Sequence, residues 1–345
     1  MIFRTLVTVY AVPFSSGRSS AWQECCVRDA EVAGSNPVAP TNRIVLRGNF
    51  IINMSDSRTI ASLLSEGRPL RSVEFFPPKD EAAGERMLKA AAEIEKLEPD
   101  FVSITYGAGG STRDRSLKYA TLLQEEHGFR VMPHLTCVGH AKSELCEIID
   151  QFYETGFRNI MALRGDPPKG ETDFKPHPDG LAYANELVAL IKDRHPDISI
   201  GVAGYPETHP EATSAEEDIK NLARKVMAGA DFVTTQLFFE NAAYYRFVDQ
   251  CSAAGIEVPI IPGILPVLNL AQVRRFCEMC QAELPKRLEN QLEAAGDDSG
   301  KAQDVGINWA YEQVQDLLYK GAPGFHLYIL NRAKPIRQLT HRLVG

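Results

Sequence analysis

The chain has 345 residues, of which 44% are hydrophobic and 24% charged, and its formal net charge is -8. This length can bury a large core, and an acidic chain without a basic stripe argues against a nucleic-acid partner. No apolar run approaches the roughly 18 residues of a membrane span, so no membrane partner is expected. The seven scattered cysteines argue against a disulfide framework and predict a reducing, cytoplasmic compartment.

Residues 1–53 differ from the rest of the chain because they lack sustained periodicity. Leu6–Phe14 weakly resembles the apolar region of a signal peptide, but no small-residue cleavage site follows promptly. Gly34-Ser35-Asn36-Pro37 is the peptide that the T-arm of a tRNA gene would encode. We therefore expect a disordered leader that arises from a gene-model error, with translation starting at Met54.

From residue 70 onward, short apolar runs alternate with helix-like stretches. The runs predict strands at Ser72–Phe76, Phe101–Thr105, Val131–Leu135, Ile160–Leu163, Ile198–Ala203, Phe232–Thr235, Ile260–Ile264 and Phe325–Leu330. Apolar residues at helical spacing predict helices at Glu81–Leu97, Arg113–Glu126, Lys142–Glu154, Ala182–Arg194, Ser214 to about Met227, Asn241–Ala254, Leu270–Cys280, Ile307–Tyr319 and Ala333–Leu343. Residues 281–304 are predicted to be irregular. The pattern predicts an α/β fold, a (β/α)₈ TIM barrel forming one catalytic domain over residues 54–345, with chemistry at the carboxyl ends of its strands.

Glu74 is an acidic residue inside an apolar strand, beside Phe75 and Phe76. A carboxyl group among apolar rings is poorly solvated, which favours its protonated form, as a general acid requires. The alternative is a structural acid in a salt bridge.

Arg164-Gly165-Asp166 ends the fourth predicted strand. Arg164 and Asp166 are two residues apart and so face the same side, and Gly165 allows a close approach to the backbone. The tripeptide is common in surface turns, but its position at a barrel strand end favours a site.

A polar face is predicted on the helix that begins at Ser214. It consists of Asp218, Asn221, Arg224 and Lys225. Two cations with an amide and an acid could hold a diphosphate and its sugar hydroxyls. Spacing alone favours a solvated charged face, but Tyr205 and His209 just upstream favour a site.

His134 could act as a base or be a satisfied core histidine, and the absence of metal-ligand spacing argues against a metal. Cys277 and Cys280 are predicted to pack on one helical face rather than bind zinc. Gln236 and Arg332 would reach the same barrel mouth, where they could bind a pterin-like edge and a carboxylate. No Rossmann or P-loop fingerprint is present, so any dinucleotide would be held without a Rossmann fold.

Taken together, these residues resemble the 5,10-methylenetetrahydrofolate reductase family of the short bacterial type, from about Arg71 to the C-terminus. The resemblance rests on the blocks Val73–Pro78, Val102–Ala108, Pro133–Cys137, Ala162–Asp166, Tyr205–Ala212, Thr235–Phe239, Ile261–Pro266 and Leu330–Arg332. It implies a barrel that binds FAD and uses NADH or NADPH in a ping-pong scheme. The product would be 5-methyltetrahydrofolate, which supplies methyl groups for methionine synthesis, and the protein would be a homotetramer or dimer.

The resemblance also assigns roles to residues. Glu74 matches the general acid, and Asp166 matches an acid near the flavin and the pterin. Folate contacts match Asp166, Gln236, Gln272 and Arg332, and a nicotinamide-side contact matches Thr105. FAD contacts match Tyr106, Ala108, His134, Arg164, Gly165, Asp166, Ala184, Tyr205, His209, Ala212, Asp218, Asn221, Arg224 and Lys225.

Two alternatives stay open at this point. Another flavin-dependent barrel, such as a proline dehydrogenase, would not need the glutamines that match folate contacts. A folate-binding protein or methyl carrier without redox chemistry would not need the strand-end Glu74 or the diphosphate-like helical face.

Overall fold

The computed structural model describes residues 58–106, 113–167 and 174–344, and two short strands before them. These strands, β1 (Arg43–Leu46) and β2 (Phe50–Asn53), pair with each other in antiparallel fashion. The rest of the predicted leader lies outside the described residues, so its disorder stays a prediction.

The main sheet contains nine strands, whose paired neighbours all run parallel. They are β3 (Leu70–Phe75), β4 (Phe101–Ile104), β5 (Val131–Thr136), β6 (Asn159–Leu163), β7 (Ser199–Gly204), β8 (Phe232–Thr235), β9 (Ile260–Ile261), β10 (Gly263–Ile264) and β11 (Gly324–Tyr328). Their order is β10-β11-β3-β4-β5-β6-β7-β8-β9. Pro262, which has no N–H to donate, separates β9 from β10 within the predicted seventh strand. The sheet is therefore a nearly closed barrel with eight strand positions, and the predicted fold is confirmed.

Helices alternate with these strands. They are α1 (Ile60–Leu64), α2 (Glu81–Glu95), α3 (Arg113–His127), α4 (Lys142–Glu154), α5 (Ala184–Arg194), α6 (Ala215–Met227), α7 (Asn241–Ala253), α8 (Leu270–Cys280), α9 (Lys286–Ala295), α10 (Ser299–Tyr319) and α11 (Ala333–Val344). None of those within the described ranges is long and apolar enough to cross a bilayer.

The prediction of an irregular segment at 281–304 is wrong, because α9 and the first turns of α10 lie within it. Helix α9 is mostly polar, and it buries only Leu288 and Leu292, which are spaced by one helical turn. They join a cluster that includes Val273 and Trp309. Tertiary packing of this narrow stripe, rather than overall hydropathy, stabilises the helix.

The strands alternate their side chains between two apolar layers. Val73 and Phe75 of β3 pack outward with the helices. Leu70 of β3 and Phe101 of β4 point inward instead. They belong to a second apolar cluster, here called the inner cluster, which consists of Ile60, Leu63, Leu64, Leu70, Phe101, Met132, Met161, Phe232 and Ile261.

Helix α1, which the sequence did not predict, closes the amino-terminal end of the barrel. Ile60 and Leu63 belong to the inner cluster. The backbone N–H groups at the start of α1 donate to Asn159 Oδ1 (2.7 Å) and Ser199 Oγ (3.1 Å). Apolar side chains therefore fill this end of the barrel, opposite the carboxyl ends of the strands.

Candidate active site

A buried carboxyl group lies at the carboxyl end of β3, on the inward face above the inner cluster. Glu74 is 7% exposed, and its Oε2 lies 3.4 Å from Ser103 Oγ. The same oxygen lies 3.5 Å from His134 Nε2 and 3.7 Å from His326 Nε2. Within the described ranges, these histidines are the only basic side chains within ion-pair distance of Glu74. A structural salt bridge of Glu74 would therefore have one of these histidines as its partner.

His326 connects this carboxyl group to a second serine. Its Nδ1 lies 2.8 Å from Ser72 Oγ, and its Nε2 lies 3.3 Å from Ser103 Oγ. The ring of Phe101 stacks on the imidazole at 5.9 Å, which fixes the plane of the ring. A chain of polar atoms thus runs from Ser72 through His326 and Ser103 to Glu74.

Sequence reasoning missed His326, Ser103 and Tyr328 as members of the site. The pattern that reveals two of them is a polar residue at alternate positions of β11, since His326 and Tyr328 share the inward face. Tyr328 donates its hydroxyl to the carbonyl oxygen of Thr235 at 2.6 Å. Burial raises the pKa of Tyr328, and the neighbouring Glu74 raises it further.

Burial favours the neutral form of the His134 imidazole. Burial lowers its pKa to about 4, which outweighs the attraction of Glu74. Its Nε2 atom is buried without a hydrogen-bond partner, as are Thr136 Oγ1 and Thr234 Oγ1. Because native proteins rarely leave buried polar atoms unpaired, these three atoms indicate the position of a polar ligand. No cluster of His, Cys, Asp and Glu suited to a metal ion occurs in the described part of the chain.

The loops after β6 and β7 meet through an ion pair that the sequence did not predict. Arg164 donates from both terminal nitrogens to Glu211, at 2.5 and 2.7 Å. The guanidinium also lies 4.7 Å from the centre of the Phe174 ring. This pairing lowers the pKa of Glu211. Arg164 is therefore held in one orientation by the loop that carries Tyr205 and His209.

The backbone between Arg164 and Asp166 requires a glycine for steric reasons. Gly165 has φ +88°, and a Cβ atom there would lie 2.6 Å from Val138 Cγ1. Only glycine fits this turn without strain. Asp166 is exposed just beyond it.

The predicted polar face of α6 divides into two pairs. Asp218 accepts a hydrogen bond from the backbone N–H of His209 at 2.9 Å, and Lys225 donates to the carbonyl oxygen of Ala203 at 2.6 Å. Burial lowers the pKa of Lys225 to about 8, partly offset by Asp218. Asn221 and Arg224 are exposed and bind each other. The structure therefore brings Asp218 and Lys225 to the strand ends and leaves the other two at the surface.

An aromatic pair stands beside this helix. The rings of Tyr205 and His209 meet edge to face at 4.5 Å. Burial lowers the pKa of His209, so the neutral imidazole is favoured. Ala212 closes the same loop, its N–H donating to the carbonyl oxygen of His209.

The remaining predicted residues occupy the same end of the barrel. Thr105 and Tyr106 follow β4, Ala184 begins α5, Gln236 follows β8, Gln272 lies in α8 and Arg332 follows β11. The side-chain oxygens of the two glutamines accept from backbone N–H groups of Leu237 and Leu268, at 2.8 Å each. Ala108 lies outside the described residues.

Comparison with known proteins gives a consistent result. The family model of methylenetetrahydrofolate reductase matches residues 59–344. The 5,10-methylenetetrahydrofolate reductase of Escherichia coli (strain K12) is 41% identical over 272 residues, covering 79% of this chain and 90% of that protein. Methylenetetrahydrofolate reductase (NADH) 1 of Arabidopsis thaliana is 36% identical over 282 residues, covering 79% of this chain and 48% of the plant protein.

A solved structure gives the same architecture. An uncharacterized protein from Clostridium thermocellum, described as binding two copies of 5-methyl-5,6,7,8-tetrahydrofolic acid, has a TM-score of 0.56 and 17% identity. The match covers 81% of this chain and 96% of that one. At this identity, the likeness shows the fold alone. The sequence matches go further, because they extend over most of this chain and almost all of its bacterial relatives, and they show that the chain belongs to the methylenetetrahydrofolate reductase family.

Proposed function

We propose that this protein reduces 5,10-methylenetetrahydrofolate to 5-methyltetrahydrofolate with FAD as cofactor and NADH or NADPH as reductant, in a ping-pong reaction. The observation that carries the proposal is the buried Glu74 carboxyl at the carboxyl ends of the strands, surrounded by Ser103, His134 and His326. Such a group can donate a proton in a place from which bulk water is excluded. Family membership supports the same reaction.

The residues at the barrel mouth fit FAD. The unpaired polar atoms of His134, Thr136 and Thr234 suit the polar edge of a flavin ring. Arg164 and Lys225 would hold the diphosphate, together with the more exposed Arg224. FAD held there would supply the redox chemistry, namely hydride transfer from a nicotinamide to the folate carbon.

Glu74 would act on the folate itself. Its carboxyl group would donate a proton to the folate nitrogen that leaves the methylene carbon when the five-membered ring opens. Ser103 Oγ lies 3.4 Å from Glu74 Oε2 and 3.3 Å from His326 Nε2, so its hydroxyl would link the two side chains when a proton returns to Glu74. The negative charge of Asp166 would favour the cation that forms, and Gln236, Gln272 and Arg332 would bind the folate.

The cellular role follows from the product. 5-Methyltetrahydrofolate would supply methyl groups for methionine synthesis. The described cysteines are all free thiols, which suits the cytoplasm.

The colour of the purified protein tests this function. The protein should be yellow, anaerobic NADH should bleach it, and methylenetetrahydrofolate should then restore the colour. NADH is the first reductant to test because the plant relatives are named for it. Bleaching by proline would favour a proline dehydrogenase, and a colourless protein that binds folate would favour a carrier. Either result would contradict the proposal.

A further inference from the structure

The side chain of Asn331 pairs with the backbone of Phe76 through two hydrogen bonds. The N–H of Phe76 donates to Asn331 Oδ1 at 2.9 Å, and Asn331 Nδ2 donates to the carbonyl oxygen of Phe76 at 2.8 Å. One amide therefore satisfies both backbone groups of a residue 255 positions away in the sequence. This contact joins the loop after β3 to the loop after β11.

The contact continues the pairing of the two strands. In the last pair of the ladder, Tyr328 of β11 lies opposite Glu74 of β3. Leu330 and Asn331 then turn with φ +49° and +56°, a left-handed conformation that asparagine tolerates better than most residues. The side-chain amide of Asn331 thus continues the pairing of β3 with β11 beyond the last backbone pair of the ladder. Arg332 is the next residue in the chain.

Phe76 is a large apolar side chain that remains 37% exposed. Phe75 is fully buried, and it packs outward against the helices together with Val73. Phe76 directly follows the last residue of β3, and continued alternation of side chains would place it on the inward face that carries Ser72 and Glu74. Its ring therefore stands at the barrel mouth, farther out than the buried Glu74 carboxyl.

We propose that Asn331 and Phe76 form one substrate-positioning unit. The ring of Phe76 contacts the aminobenzoyl ring of the folate, and the amide of Asn331 fixes the backbone that presents this ring. The outer position of Phe76 assigns it to the aminobenzoyl ring rather than the pterin, which must reach the level of Glu74. This inference rests on the proposed function, because it requires a folate in the mouth.

A double-mutant cycle on ligand binding tests the unit. The dissociation constant of 5-methyltetrahydrofolate is measured for the FAD-loaded wild type, Phe76→Ala, Asn331→Gly and the double variant. Phe76→Ala should weaken binding about tenfold, the size expected for the loss of one packed aromatic contact. Asn331→Gly keeps the left-handed backbone but removes both hydrogen bonds, and should weaken binding about fivefold. The double variant should match Phe76→Ala, because the two residues act together.

Three further measurements make the result specific. Binding of 5-methyltetrahydropterin, which lacks the aminobenzoyl group, should change less than twofold in Phe76→Ala. Asn308→Ala removes an exposed asparagine whose side chain meets Arg342, and should leave folate binding as in the wild type. If Asn331→Gly fails to fold, Asn331→Asp keeps the acceptor for Phe76 and should weaken binding about threefold.

The outcomes separate the two proposals. If wild-type protein binds the folate and the variants bind it equally well, the positioning unit is wrong while the proposed function stands. Purely additive effects of Phe76→Ala and Asn331→Gly, or equal losses for the folate and the pterin, would also overturn the unit. If wild-type protein loaded with FAD binds no folate, the proposed function itself fails.

Discussion

At the scale of single residues, the proposed chemistry depends on two buried side chains that lie close together, those of Glu74 and His134. Glu74 and His134 lie 3.5 Å apart with few other polar partners. Burial keeps His134 neutral, so it does not neutralise the carboxyl as a salt bridge would. The site therefore places one carboxyl group beside an uncharged imidazole, with no lysine or arginine of the described residues within ion-pair distance.

The low pKa of His134 predicts a dependence of stability on pH. Its pKa is about 4 in the folded protein against an ordinary value of 6.5, so between these values the unfolded chain binds more protons. The free energy of unfolding should therefore rise with pH across this window, and the gain is lost as pH falls toward 4. The shift corresponds to about 3 kcal/mol.

Urea unfolding of the wild type and His134→Gln between pH 4 and 7 measures this effect. The variant carries no titrating group at this position, so its stability should depend less on pH than that of the wild type. Parallel curves for the two proteins would show that His134 is not buried in its neutral form.

Among the helices and strands, α1 is the element whose contribution to the free energy of unfolding can best be tested without altering the residues of the proposed active site. Leu63 is 1% exposed inside the amino end of the barrel, remote in its contacts from the strand-end groups. Leu63→Ala should lower the free energy of unfolding by about 2–5 kcal/mol, because it leaves a cavity in a packed core. Ser65→Ala, on the exposed side next to the same helix, should change it by less than about 0.5 kcal/mol.

Denaturant titration of both variants decides this point. A stability loss for Leu63→Ala no larger than for Ser65→Ala would mean that α1 does not close the barrel as described. FAD content should remain that of the wild type in both proteins, since the strand-end residues are unchanged.

The elements that could be predicted are those with strong local patterns. Helix Lys142–Glu154 and strand Phe232–Thr235 have the bounds that the sequence predicted. Helix α1 has five residues, too few for a visible period, and it is held by distant contacts to Asn159 and Ser199. Helix α9 could not be predicted from the sequence pattern because most of its residues are polar. Local sequence does not report these tertiary contributions.

For the molecule as a whole, barrel closure decides how much of the site the sequence can reveal. Glu74 could be singled out because a carboxylate inside an apolar strand is unusual. The partnership of Ser72 with His326 spans 254 positions in the chain and exists only because β11 pairs with β3. Arg164 and Glu211 likewise meet only in the folded barrel, because they belong to the loops that follow two different strands. Residue types could therefore be predicted, but not which side chains meet.

The roles of the residues at the mouth remain predictions, as does assembly into a dimer or tetramer. The central claim is that Glu74 serves the folate half of the reaction and not the nicotinamide half. Its substitution by glutamine keeps the size of the side chain and removes the acid. The two half-reactions then report separately on FAD binding and on proton donation.

Anaerobic stopped-flow absorbance of the wild type and Glu74→Gln measures this most directly. NADH should bleach the flavin of the variant at a rate within about threefold of the wild type. Recolouring by methylenetetrahydrofolate should be slower by at least about 100-fold, the usual contribution of a general acid. Equal slowing of both half-reactions, or recolouring at the wild-type rate, would contradict the account.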